Sequence, residues 1–350
     1  MKRIFTAAVL GLSLLMASSG AVVAQTDFED VEARIKSGSA YDRGDFAAAF
    51  TELGPLAFRG NRVAQNILGV MYDRGQGVTQ DYAEAIKWYR RSAEQGFWAA
   101  QFNLGTMLNS GRGVIQDNAE AIKWYRLAAE QGSVAAQFNL GLMYDKGQGA
   151  IKDFAQAVKW YRLAAEQGDA GAQLNLGLMY DTGQGVIKDH AQAVKWYRLA
   201  AEQGNAKAQS NLGSMYDNGE GVAQDYAQAL KWYLLAAAQG YDGAQFNLGL
   251  KYDKGQGVIQ DHAEAVKWYL LAAEQGRVEA QSNLGYAYAK GEGVIQDNVY
   301  AHMWFNIAAL NGESASGGYR DVVAKQMTAG TISKSRELAR ECVAKHYKSC

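Results

Sequence analysis

The side chains that could carry out chemistry in this chain of 350 residues are few and lie far apart. The histidines are His190, His262, His302 and His346, and none belongs to the His-Glu-x-x-His pattern that binds zinc. The sequence also contains no Ser-x-x-Lys, no Gly-x-Ser-x-Gly and no Walker-type glycine loop. We therefore predict no catalytic residue, no cofactor site and no metal site.

One group of carboxylates recurs at multiples of 36 residues, and its members are Asp73, Asp145, Asp181, Asp217 and Asp253. General acid/base catalysis needs two carboxylates in unlike environments, whereas acids repeated in this way have similar ones. The recurrence therefore indicates a solvated column or contacts at helix ends, and not an acid/base pair.

Two cysteines, Cys342 and Cys350, lie near the end of the sequence and could form a disulfide. On one continuous helix their Cα atoms would be about 12 Å apart, because a helix rises about 1.5 Å per residue, and a disulfide cannot span that distance. Pairing therefore requires the helix to end between them. The alternative is two free thiols on a frayed tail, and two cysteines alone make no zinc site.

Residues 1–24 have the pattern of a secretory signal peptide. Lys2 and Arg3 form a basic start, residues 4–16 are apolar, and small residues precede a cleavage site before Gln25. An apolar stretch this short does not favour a transmembrane span, and no other segment could cross a membrane, although an uncleaved anchor is the alternative. We predict an exported chain without stable membrane insertion, in the bacterial periplasm or outside the cell.

The charge of the chain argues against one class of partner. Its 35 Lys and Arg residues against 36 Asp and Glu residues give a formal net charge of −1. Nucleic-acid binding depends on a basic surface that neutralises phosphates. We therefore predict no nucleic-acid partner.

A repeat of 36 residues is the strongest pattern in the sequence. One tryptophan recurs at this step, at Trp88, Trp124, Trp160, Trp196, Trp232, Trp268 and Trp304. Seven repeats occupy residues 61–312 without insertion, and residues 25–60 contain an N-terminal cap with a degenerate copy. Residues 313–350 depart from the pattern and are predicted to form two helices, 313–327 and 333–345, that cover the last repeat. Atypical terminal segments are typical of capped solenoids.

Each repeat is predicted to form two helices. In residues 133–168 the apolar positions of the first helix are Ala136, Leu140, Met143 and Tyr144. They follow helical spacing, Gly147 breaks the helix, and Asp153 has the pattern of an N-cap for the second helix. Two such helices cannot bury their apolar faces alone, so neighbouring repeats must stack, with the recurring tryptophans and tyrosines in the core.

The repeated residues resemble a known family. In the third repeat they are Ala135 to Gly141, Tyr144, Gly147, Gly149, Asp153, Ala157, Lys159-Trp160-Tyr161, Ala164-Ala165 and Gly168. This pattern resembles the Sel1-like repeat, a relative of the tetratricopeptide repeat. The resemblance implies an all-α fold, a right-handed α/α superhelical solenoid of helix-turn-helix repeats that binds proteins. Some secreted relatives rich in cysteine have been labelled β-lactamases, but their paired cysteines in each repeat are missing here.

By resemblance, one stripe on the first helices lines a concave groove. Its positions are the third, sixth and tenth of each repeat, close to i, i+3 and i+7 on one helix face. We call these residues the first-helix stripe: Asn66, Val70, Phe102, Thr106, Phe138, Leu142, Leu174, Leu178, Lys207, Ser210, Ser214, Phe246, Leu250, Glu279, Ser282 and Tyr286. Its apolar middle suits a helix or an extended peptide with apolar anchors. The alternative is that these side chains pack between neighbouring first helices and leave no groove.

The sequence thus predicts a non-catalytic scaffold in the bacterial periplasm that binds a protein or peptide partner in its concave groove. Two alternatives follow from the resemblance: a secreted enzyme acting on cell-wall or β-lactam substrates, and a secreted factor that engages a host protein. The enzyme would require an acid, a base or a nucleophile to meet in one cleft of the folded chain.

Overall fold

A computed structural model describes residues 40–348 and 350, so the signal peptide predicted for residues 1–24 lies outside the described residues. The described residues fall into two compact units, an N-terminal unit of residues 40–167 and a C-terminal unit of residues 168–348 with 350. Within residues 40–348 the regular elements are 17 α-helices joined by turns. The predicted all-α fold of repeated helix pairs is therefore confirmed.

The helices alternate as first and second helices of the seven repeats, from α2/α3 to α14/α15. The N-terminal unit contains α1 (Phe46–Phe58), α2 (Arg62–Arg74), α3 (Tyr82–Glu94), α4 (Trp98–Ser110), α5 (Asn118–Glu130), α6 (Val134–Lys146) and α7 (Phe154–Glu166). The C-terminal unit contains α8 (Ala170–Thr182), α9 (His190–Glu202), α10 (Ala206–Asn218), α11 (Tyr226–Ala238), α12 (Asp242–Lys254), α13 (His262–Ala273), α14 (Val278–Lys290), α15 (Asn298–Leu310), α16 (Ser314–Ala324) and α17 (Ala329–Ala344).

Short polar and glycine signals set the ends of the helices. The side chain of Asp153 accepts a hydrogen bond of 3.0 Å from the backbone N–H of Gln156 and so caps α7, as the sequence predicts. The preceding helix α6 ends at Gly147, whose φ of +69° lies in the left-handed region that glycine adopts without strain. Helix α6 is thereby separated from α7 by a short loop.

The two helices of a repeat approach each other through a glycine and a tyrosine. The ring of Tyr161 on α7 lies directly on the backbone of α6 at Gly141, where an added Cβ would be 2.4 Å from the ring. Tyr161 is fully buried. The same pairs recur at Gly69 and Tyr89, Gly105 and Tyr125, Gly177 and Tyr197, Gly213 and Tyr233, Gly249 and Tyr269, and Gly285 and Phe305. Only a residue without a side chain allows this contact.

A buried glutamine joins one repeat to the next. The Gln137 amide donates to the backbone carbonyl of Ala129, at the end of the preceding repeat's second helix, at 3.1 Å. Its carbonyl oxygen accepts a hydrogen bond of 2.7 Å from Gln167 in its own repeat. Both groups of the buried amide are therefore satisfied, as burial of a polar side chain requires. The sequence pattern shows the recurrence of this glutamine but not its role.

The recurring tryptophans lie mostly in the core. Trp88, Trp160, Trp196, Trp232 and Trp304 are buried, whereas Trp124 and Trp268 are half-buried. Large aromatic rings contribute much of the buried apolar area of a small core. The tryptophans therefore stabilise the repeats, as the sequence predicts.

The C-terminal segment forms two helices, but the second begins earlier than predicted. Residues 329–331 belong to α17 and not to a connecting loop, because the side chain of Thr328 accepts a hydrogen bond of 3.3 Å from the backbone N–H of Thr331 and caps the helix. Helix α17 ends at Ala344, and the chain then turns so that Cys350 forms a disulfide with Cys342 at a Cα–Cα distance of 5.3 Å. The helix thus ends between the two cysteines, as pairing requires.

Helix α17 is also held to the last repeat by a buried histidine. The Nδ1 atom of His302 on α15 lies 2.7 Å from the hydroxyl of Ser335 on α17, and both residues are at most 1% exposed. Burial lowers the pKa of His302 below its usual value. His302 is therefore a neutral structural residue.

Among the described residues, no helix combines the length and the apolar character that crossing a bilayer demands.

We expect Gly141→Ala to lower the free energy of unfolding by about 1–3 kcal/mol, the usual range for an overpacked core, because the new methyl group would meet the Tyr161 ring. Urea unfolding followed by circular dichroism measures the effect. Gly318→Ala is the control. Gly318 also lies inside a helix, α16, but an added Cβ there meets no atom of another helix within 4 Å. This control should raise the stability by about 0.5–1 kcal/mol through helix propensity, and a loss equal to that of Gly141→Ala would contradict the packing argument.

We expect Gln137→Met to cost about 0.5–1.5 kcal/mol of stability, because the carbonyl of Ala129 and the amide of Gln167 would each lose one hydrogen bond. Gln148→Met is the control, since Gln148 is exposed in a loop, and its effect should stay within about 0.5 kcal/mol. Similar midpoints for the two variants in urea unfolding would show that the glutamine link does not stabilise the junction.

Candidate partner-binding surface

The first-helix stripe is partly open, but some of its members are inaccessible. Four of them are buried, with at most 9% of each residue exposed: Asn66, Leu174, Ser210 and Ser282. Lys207 and Glu279 are exposed, and the other stripe residues are half-buried. A partner could therefore contact the half-buried and exposed members while the helices keep their packing.

The aromatic members of the stripe pack on one side against tyrosines of the core. The rings of Phe138 and Tyr161 have centroids 6.1 Å apart. Phe102 and Tyr125 are 5.8 Å apart in the same way. The pair Phe246 and Tyr269 repeats the arrangement in the C-terminal unit at 5.9 Å. Each of these phenylalanines therefore packs against the core on one side and is partly exposed on the other.

The core tyrosines also bring their hydroxyl groups close to the first helices. The hydroxyl of Tyr125 donates to Thr106 at 3.2 Å, with Asn139 of the next repeat beside it. In the C-terminal unit the hydroxyl of Tyr197 donates to Asp181 at 3.1 Å, with Asn211 beside it. Burial raises the pKa of both tyrosines, so both hydroxyls stay protonated and can donate hydrogen bonds.

A column of asparagines completes this surface and was not selected from the sequence. Each of these half-buried residues follows the sixth position of its repeat: Asn103, Asn139, Asn175, Asn211, Asn247 and Asn283. Their recurrence at 36 residues was the signal that could have identified them. An asparagine side chain both donates and accepts hydrogen bonds, so it can pair with the backbone of a bound peptide.

The recurring acids do not form a solvated column. The side chain of Asp73 is 17% exposed and lies 3.7 Å from the guanidinium of Arg112 in the next repeat. Asp217 is 19% exposed and pairs with the ammonium of Lys251, also in the next repeat. The two residues of each ion pair are more than 30 positions apart and belong to different repeats. The spacing of residues within one repeat therefore does not predict these pairs. Asp73 and Asp217 therefore belong to the junctions between repeats, whereas Asp145 accepts a hydrogen bond of 3.4 Å from Tyr161 in its own repeat.

Two of the acids face a histidine instead. The Nδ1 atom of His190 lies 3.0 Å from Asp181, and that of His262 lies 2.8 Å from Asp253. In the first case Glu220 of the next repeat joins the pair, and one ligand atom of each of the three residues lies within 4.8 Å of the others. Imidazole and carboxylate are ligand types that bind Zn²⁺. The absence of a metal site, inferred from spacing along the sequence, stays a prediction.

Comparisons with known proteins agree with this architecture. The Sel1 repeat family matches residues 62–97, 98–133, 134–169, 170–205, 206–241, 243–276 and 278–313. A Sel1 repeat protein from Oxalobacter formigenes is 37% identical, covers 71% of this chain and 96% of its own, and has a TM-score of 0.58. A protective antigen present in uropathogenic Escherichia coli strains, with an SLR fold, is 29% identical, covers 91% of this chain and 95% of its own, and has a TM-score of 0.51. Comparison with curated proteins finds no match.

The matched segments contain the helix pairs described above, with one first helix and one second helix in each segment. The glycine–tyrosine contact and the glutamine link thus recur within these segments. The matches together cover well over half of the sequence. The chain therefore belongs to the Sel1 repeat family.

Proposed function

We propose that the chain is a non-catalytic scaffold that binds a protein or peptide partner on the surface formed by its first helices. The observation that carries the proposal is the composition of this surface. Several repeats offer a half-open apolar side chain, such as Phe138, next to an asparagine amide, such as Asn139. Apolar anchors combined with groups that bind backbone amides suit the recognition of a peptide. Membership of the Sel1 repeat family supports the same role, because its members are typically scaffolds for protein interactions.

The arrangement favours a partner with several contact points. Within each unit the same positions recur in every repeat, so one bound segment can contact successive repeats of that unit. Contacts that are individually weak then give a higher overall affinity, because they are linked in one bound segment. The partner is accordingly an extended segment or a helix with apolar side chains at intervals.

The location in the bacterial periplasm is part of the proposal. It is supported by the basic start, apolar stretch and small residues within residues 1–24.

The proposal is tested by affinity capture from a periplasmic extract, with the chain from residue 25 as bait. The test variant replaces Phe102, Phe138 and Phe246 by serine. We expect it to retain less than about a tenth of the partner that the unchanged bait retains, because apolar anchors at the centre of an interface carry most of the affinity. Circular dichroism must show that the variant is folded, since each phenylalanine also contacts a core tyrosine.

The matched control replaces Leu127, Leu163 and Leu271 by serine. These leucines lie on second helices and are between 37% and 43% exposed, so the control removes comparable apolar surface outside the first-helix stripe. It should retain the partner at the level of the unchanged bait. Equal retention by the phenylalanine variant and the unchanged bait would place binding elsewhere on the chain.

A further inference from the structure

A cavity of about 270 Å³ opens at the junction between the sixth and seventh repeats, within the C-terminal unit. Asp253 on α12, His262 and Tyr269 on α13, Ala287 on α14 and Glu292 after α14 line it. The cavity therefore combines two carboxylates, an imidazole and a phenol, and the side chain that α14 contributes at position 287 is only a methyl group.

One repeat earlier, the chain fills the corresponding site with its own lysine. Lys251 stands 36 residues before Ala287, and its side chain is only 5% exposed. Its ammonium pairs with Asp217, the counterpart of Asp253. It also donates to Gln256 at 2.7 Å. The ammonium lies 4.9 Å from the ring of Tyr226, the counterpart of His262. This junction shows how the architecture holds a buried ammonium.

The fourth and fifth repeats provide a second comparison. Their junction has the same three polar residues, Asp181, His190 and Glu220. There the position of Ala287 is occupied by Met215, which is 2% exposed and packs in the core. Side chains as long as methionine and lysine are thus accommodated at this position of the repeat, and alanine leaves the space open.

The open junction has acceptors for an ammonium but no buried cation. Its only lining ammonium, that of Lys290, has a side chain 61% exposed and lies 3.7 Å from Glu292. Tyr269 is 3% exposed, and among the described residues its hydroxyl has no hydrogen-bond partner of acceptable geometry, although Asn283 lies beside it. Buried hydroxyls in folded proteins usually have a hydrogen-bond partner of good geometry, so the oxygen of Tyr269 can accept a hydrogen bond from a group placed in the cavity.

We propose that this cavity binds the ammonium group of a lysine side chain that a protein partner inserts between the sixth and seventh repeats. An ammonium has three donors, and Asp253, Glu292 and the hydroxyl oxygen of Tyr269 are three acceptors in the cavity wall. The apolar stem of the lysine would take the volume that Lys251 and Met215 take at the other junctions. The partner as the source of the lysine rests on the proposed function, whereas the chemistry of the cavity does not.

The test uses the chain from residue 25 with labelled histidines and follows the imidazole signals by NMR. The probe is Nα-acetyl-lysine amide, and the control ligand is Nα-acetyl-norleucine amide, which has a similar stem without the ammonium. The signal of His262 is assigned by its loss in His262→Gln. We expect the lysine amide to shift this signal saturably, the norleucine amide to leave it unchanged, and the signal of His190 to stay in place with both.

Two variants fill the cavity as the chain does elsewhere. Ala287→Met copies Met215 and Ala287→Lys copies Lys251, so each introduces a side chain that the repeat already accommodates. Circular dichroism checks their folding, and either one suffices if the other fails to fold. Both should weaken binding of the lysine amide by about tenfold or more, since a hydrogen-bonded charged group contributes that much to an affinity.

Four outcomes would overturn the proposal: no shift of His262, equal shifts with both amides, unchanged binding in the filled variants, or a shift with Zn²⁺ alone and none with the lysine amide. The last outcome would make the junction a metal site. The test needs no partner, so its failure is separate from that of the scaffold proposal. If the lysine amide binds but no partner is captured, the cavity is supported as an ammonium site and the scaffold proposal is contradicted.

Discussion

The contact between a glycine of the first helix and an aromatic ring of the second is the constraint on which the rest of each repeat depends. At Gly141 the Tyr161 ring lies so close to the helix backbone that a methyl group would meet it at 2.4 Å. The contact sets the distance between the helices, and that distance determines which side chains are enclosed. It also brings the tyrosine hydroxyl to the first helices, where Tyr125 meets Thr106 and Tyr197 meets Asp181. One packing contact therefore shapes both the core and the candidate surface.

The core residues are nearly the same in every repeat, whereas other positions differ. The junctions between repeats show how such differences change the local chemistry. One position of the first helix is Met215 in the fifth repeat, Lys251 in the sixth and Ala287 in the seventh. In the structure these residues are a core side chain, the cation of a buried ion pair and the wall of a cavity. Between the junctions with Met215 and Ala287 the polar residues are of the same types, so that difference lies in one side chain, whereas the junction with Lys251 also has Tyr226 in place of a histidine and Gln256 in place of a glutamate. A repeat protein can thus vary its chemistry without a change of fold.

The candidate surface was only partly predictable. The sequence pattern selected Phe102, Phe138 and Phe246 as open side chains, and they are half-buried with one side on a core tyrosine. It also selected Ser210 and Ser282, which are buried, because a short side chain next to the core stripe is covered by its neighbours. It missed the asparagine column, because a polar residue that recurs on a helix was taken as ordinary helix surface. Exposure at the edge of a helix face depends on the packing angle of the next helix, and the period of the pattern does not contain that angle.

The sequence by itself determined the helix pairs, their ends and most of the core. It did so through the period of 36 residues, the glycines that end the first helices and the aspartates that cap the second helices. These features are local: a cap such as Asp153 acts within three residues, and an apolar stripe acts within one helix. Only the tertiary structure decided which acid meets a cation, which meets a histidine, and where a cavity remains. Asp217 and Lys251 are 34 positions apart, and Asp73 meets Arg112 of the next repeat. Such pairs form because stacking places one repeat against the next, and their geometry follows from side-chain reach across that junction rather than from any pattern along the chain.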